Sequence, residues 1–172
     1  MLLRAKLYTY VLLLVFALAS CSTQEIGPQQ VNPQPKPVLA GTKVLILNEG
    51  NFGRGNASLS AYFPNSGAVS YNIFSRFNAN LPLGDVLQDL TQADGNYYLS
   101  INGSGKIISI DTTTWLQNGQ VENLPTPRFL QVAGNKLFAT DLFSSSLHVF
   151  SLNPLQRDTT LAMPASTGRM AV

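Results

Sequence analysis

The chain has 172 residues, 12% of them charged, and its formal net charge of +2 falls to zero once Arg4 and Lys6 are set aside with the N-terminal segment. A neutral body without a Lys/Arg cluster is a poor match for nucleic acid, whose binding rests on phosphate neutralisation. A single cysteine and a single histidine exclude an intramolecular disulfide and a His/Cys metal cluster.

In chain order, the first expected element is an export signal over 1–20. Arg4 and Lys6 precede an apolar run from Tyr10 to Ser20, which is long enough for a signal-peptide core and too short to cross a bilayer. The run ends in Leu18-Ala19-Ser20-Cys21, which resembles the bacterial lipobox. That resemblance implies lipidation of Cys21, cleavage before it and attachment to a membrane. Residues 21–40 follow as a tether, because STQEIGPQQVNPQPKPVL is rich in Pro and Gln and has too little apolar surface to fold by itself.

From 41 to 172 the pattern is one of short alternating strands separated by turn signals, with no convincing amphipathic helix. Self-comparison shows three strand-like hexamers closed by Asn or Asp: KVLILN (43–48), YYLSIN (97–102) and KLFATD (136–141). Each is followed by a Gly- or Ser-rich loop and a second strand: SLSAYF (58–63), KIISID (106–111) and SLHVFS (146–151). The second strands start 48 and 40 residues apart, close to the ~40–50 residues of one propeller blade.

Within each blade the strands are designated A to D from the axis outward. Val86–Ala93 is expected as strand A of the second blade, joined by an Asp94-Gly95 hairpin to strand B, with strand D near 120–124. FLQVA, KLFATD, SLHVFS and RDTTLAM repeat the scheme in the third blade. The first blade has B, C and D (68–74) and lacks a strand A, which in a closed ring usually arrives from the C-terminus. The expected fold is therefore all-β: a β-propeller of about three blades of antiparallel four-stranded sheets. Because propellers close with four or more blades, 41–172 reads as the N-terminal part of a larger ring. A complete small antiparallel β protein is the alternative.

The segments LNEGNFG, NASLSAYFPNSGAV, LGDVLQDL and ISIDTTT resemble the YncE-like seven-bladed propeller lipoproteins of Bacteroidota. Some members of that family are surface partners of TonB-dependent transporters and capture cobalamin and related corrinoids. The resemblance implies an outer-membrane lipoprotein, on the cell surface or the periplasmic face, that captures a ligand without catalysis and without a cofactor. A scaffold propeller that engages another envelope protein is the alternative from a different class.

In a propeller the B–C and D–A loops share one face, so 48–57, 75–85, 102–105, 125–128 and 141–145 should gather at one mouth. The candidate ligand-binding residues there are Asn48, Asn51, Phe52, Arg54, Asn102 and Asp141. Phe52 offers a ring for stacking and Arg54 a forked donor for phosphate, carboxylate or amide oxygen. Asparagines supply both donors and acceptors. No catalytic constellation is legible: His148 sits in an alternating strand, Asp85 and Asp89 suit turn formation and structural hydrogen bonds, and Ser144, Ser145 and Ser146 have no nearby base.

Overall fold

The structure is a computed structural model and describes residues 37–172. The expected signal segment, Cys21 and most of the tether lie outside the described residues. Three antiparallel sheets follow one another along the chain. The first holds β1 (Val44–Asn48), β2 (Ser58–Phe63) and β3 (Ala68–Ser70). The second holds β4 (Leu87–Ala93), β5 (Asn96–Ile101), β6 (Lys106–Asp111) and β7 (Gln117–Val121). The third holds β8 (Pro127–Ala133), β9 (Lys136–Asp141), β10 (Ser146–Ser151) and β11 (Gln156–Ala162). The chain is thus all-β with the sheet order of a partial propeller, two blades of four strands and one of three.

The middle sheet explains why its strands read as nearly continuous apolar runs. Successive side chains point to opposite faces, and both faces are buried. Leu99, Ile101, Ile108 and Ile110 pack toward the first sheet, together with Leu59, Ala61, Leu83, Leu87 and Trp115. Tyr98 and Ile107 pack the other way, with Leu130, Leu137, Ala139, Phe150 and Leu152. At ~1.5–3 kcal/mol for each fully buried Leu, Ile or Phe, this double burial is the main force stacking one sheet on the next. Polar contacts fix the alignment. Asp89 Oδ2 accepts from the Leu130 amide at 2.8 Å, Ser100 Oγ donates to the Arg128 carbonyl at 2.6 Å, and Tyr98 OH donates to the Leu152 carbonyl at 3.1 Å.

Three local expectations are corrected. The strand expected over 68–74 stops at Ser70 and gives way to a short helix, α1 (Ile73–Phe77), whose Ile73 and Phe74 are buried against the first sheet. Asn72, at φ 52°, turns the chain out of the ladder. Asn78 ends the helix, its Nδ2 donating to the carbonyls of Phe74 and Trp115. Strand D of the second blade lies at 117–121, earlier than 120–124, and Leu124 beyond it is buried between the second and third sheets. Finally, the folded body starts before 41, because Leu39 is buried in the first core.

Candidate functional site

The loops of one face converge through backbone and side-chain hydrogen bonds. In the first B–C loop the Asn51 amide donates to Asn56 Oδ1 at 2.8 Å, and the Arg54 amide donates to the Asn51 carbonyl at 3.0 Å. Gly50 allows this closure: its φ is +78°, and a Cβ there would sit 2.5 Å from Asn56 Oδ1. Asp85 ties loops of two blades together, its Oδ2 accepting from the Gly53 amide and its own amide donating to Ser104 Oγ, both at 2.8 Å. Further bonds from the Ala57 amide to the Gly84 carbonyl and from the Leu142 amide to the Thr126 carbonyl complete the rim.

At this mouth lies a recess of about 550 Å³. The first B–C loop contributes Glu49, Gly50, Asn51 and Phe52; the start of β4 contributes Val86 and Gln88; Asn102, Leu142 and Phe143 come from the later B–C loops. Phe52 and Phe143 are 84% and 83% exposed, which presents two rings to solvent at one opening. Gln88 Nε2 donates to Glu49 Oε1 at 3.3 Å across the recess wall. Gln88 occupies the register shift between Leu87 and Asp89, where a bulge re-aims the strand. Val86 beside it holds φ 57°, a strained state for a β-branched residue, and its carbonyl is pinned by the Asn102 amide at 2.8 Å. A smaller cavity, of about 320 Å³, opens beside α1 among Asn56, Ser58, Asn72 and Asn80, and its lining is neutral.

The six expected site residues divide. Asn51, Phe52 and Asn102 line the recess; Arg54 is exposed on the same loop but does not line it. Asn102 also serves the fold, its Nδ2 donating to the Pro127 carbonyl at 3.0 Å. Asn48 Nδ2 is committed to Ser58 Oγ and Ser60 Oγ, at 3.2 and 2.9 Å. Asp141 is fully buried and accepts from the amide and hydroxyl of Thr126 and from the amides of Phe143 and Ser144. Its position at the end of a B strand suggested the rim, yet its side chain turns inward to hold the loop. Phe143, Val86 and Gln88 were not anticipated. Aligning the repeats would have exposed Phe143, because an aromatic follows the closing Asn or Asp in both the first and third B–C loops.

His148 stands next to Asp141 in the interior. Its Nδ1 is 2.9 Å from Thr160 Oγ1, and its Nε2 is 3.6 Å from Asp141 Oδ2. The second distance is too long for a hydrogen bond. Burial pushes the imidazole pKa down, and the nearby carboxylate only partly offsets this. For Asp141, burial acts upward, but the donors from Thr126 and Phe143 outweigh it and hold the carboxyl below its usual range. The pair is thus a neutral ring beside an ionised carboxylate. Among the described residues no group of three or more His, Cys, Asp or Glu is arranged to hold a metal ion.

Comparisons with solved structures place this geometry among propeller-like folds. The chain is similar to a chain of the nidogen/laminin complex, with TM-score 0.51 and 16% identity over 66% of this chain and 41% of that one. It is also similar to Kuenenia stuttgartiensis hydrazine synthase, with TM-score 0.51 and 8% identity over 63% of this chain and 30% of that one. A europium-containing methanol dehydrogenase gives TM-score 0.50 and 13% identity over 70% of this chain and 23% of that one. The chain spans less than half of each, and at these identities the likeness bears on fold alone. No curated protein matches the sequence. The family model described as "Domain of unknown function (DUF5074)" matches residues 42–171.

Proposed function

The chain belongs to the DUF5074 family, and we propose that it is a membrane-tethered binding protein of the cell envelope, non-catalytic, whose mouth recess captures a broad, partly apolar ligand for an outer-membrane transporter. The observation that carries this reading is the pairing of two exposed phenyl rings, Phe52 and Phe143, over a recess of about 550 Å³ whose other walls offer amides. Stacking surface combined with a few convergent polar groups is the usual make-up of a small-molecule site. The strained Val86 in its lining agrees with this, since backbone strain gathers at ligand clamps. A corrinoid fits the recess in chemistry: its ring is wide, apolar on its faces and fringed with amides. The resemblance to YncE-like lipoproteins favours the same ligand class, a TonB-dependent transporter as the recipient and Cys21 as the lipid anchor.

Calorimetry of cyanocobalamin against the full-length protein tests the reading. Phe52→Ala and Phe143→Ala should each weaken binding about tenfold if both rings are hot spots. Wild type that gives no heat of binding eliminates the corrinoid. For the anchor, Cys21→Ala should release the protein or leave it unprocessed in the membrane fraction; mature, acylated protein in the variant would refute the assignment. A scaffold role is the second reading, favoured by the exposure of both rings at one rim, because exposed aromatics also anchor protein interfaces.

A further inference from the structure

A different feature lies on the innermost strand of the third sheet. The register of β8 against β9 shifts between Pro127 and Leu130, so Arg128 and Phe129 form a bulge at the mouth end of the strand. Bulges re-aim side chains, and they are frequent beside binding sites. Here the bulge joins two cations on one ring: the guanidinium carbons of Arg128 and Arg169 each lie 4.6 Å from the Phe129 ring centroid. None of these three residues lines the recess.

Two like charges on one side chain repel, and a phenyl face offsets only part of that repulsion. Carboxylates would normally supply the rest. Among the described residues the charged pair is Lys136 with Asp158, and Asp141 faces the neutral His148; neither contact involves these arginines. The carboxylates near this strand are already engaged, Asp89 by the Leu130 amide and Asp141 by Thr126. Arg128 Nε is buried and has no acceptor, and a buried donor without a partner requires an explanation. A guanidinium stacked on a ring keeps its N–H groups in the plane of the fork, free for bidentate contact with an oxyanion.

We propose that Arg128 and Arg169, stacked on Phe129, form an anion site that takes a phosphate or carboxylate group of a ligand. The site stands independently of the corrinoid reading. Calorimetric titration of the full chain at low ionic strength tests it, with inorganic phosphate in one arm and succinate in the other. Saturable binding is expected in at least one arm. Phosphate alone assigns a phosphorylated ligand, and succinate alone assigns a carboxylate ligand. Arg169→Gln and Arg128→Gln should each weaken it about tenfold, the loss of a charge-assisted hydrogen bond. Phe129→Leu should weaken it through loss of the stacking face. Arg169 is exposed, so its variant keeps the test valid if Arg128→Gln fails to fold. Lys43→Gln is the control, a cation that lies over a different ring, 5.7 Å from the centroid of Trp115. Absence of saturable binding in both arms, or equal weakening by Lys43→Gln, overturns the proposal.

Discussion

Asp141 and His148 show at the residue scale how one buried pair makes stability sensitive to acid. The His148 pKa is lowered by burial, so the unfolded chain takes up a proton more readily than the folded one. Its contribution is therefore present above the unfolded value of ~6.5 and is lost as pH falls through the lower folded value. Asp141 is also held low, so its contribution is lost only in the more acidic range, below the usual carboxylate value of ~3.9. The melting temperature should accordingly decline between pH 7 and pH 5, and His148→Gln should flatten that part of the profile. Thermal melts followed by circular dichroism check this; a wild-type melt unchanged across that interval would exclude a buried neutral His148. The sequence showed His148 in an alternating strand. That its ring would meet Asp141, seven residues away, depended on the register of β9 against β10.

At the scale of elements, turn chemistry was legible where it is local and hidden where it depends on a neighbour. The Asp94-Gly95 hairpin was expected, and both residues have positive φ, 46° and 74°, as a two-residue hairpin turn requires. A Cβ at Gly95 would meet nothing within 4 Å. Gly105, at φ +59°, adds a contact that no local pattern announces: a Cβ there would lie 2.5 Å from the Leu124 carbonyl oxygen, whose amide donates to Gly105 at 2.9 Å. Gly95→Ala should thus cost about 1–2 kcal/mol, the strain of a left-handed residue alone. Gly105→Ala should cost clearly more, because the clash is with backbone that cannot swing aside. Urea denaturation of the two variants decides the order, and equal losses would contradict the close approach. The helix α1 escaped notice for a related reason: five residues give too few turns for a helical period to register.

For the whole molecule, the exposed inner edge is the feature with consequences. Among the described residues β1 borders only β2 in its sheet, and its Val44 and Ile46 are 51% and 40% exposed. An unpaired, apolar edge strand templates association with another chain. The segment 37–172, which keeps the buried Leu39, should therefore assemble as concentration rises, and Ile46→Lys should suppress this. Sedimentation velocity gives the answer; a monomer at every concentration would mean that the edge is covered. The repeat of paired hexamers determined the sheets, their strand order and the face on which the loops meet, because period-two alternation and turn residues act over short range. Phe52, Asn51 and Asn102 were likewise readable as mouth residues from their place in the repeat. The tertiary structure alone decided that Asp141 turns inward and that Phe143 joins Phe52 over the recess. It also decided that a bulge brings Arg128 onto the ring shared with Arg169. Those outcomes depend on register shifts and on contacts between blades, which bring together residues that no local sequence pattern links.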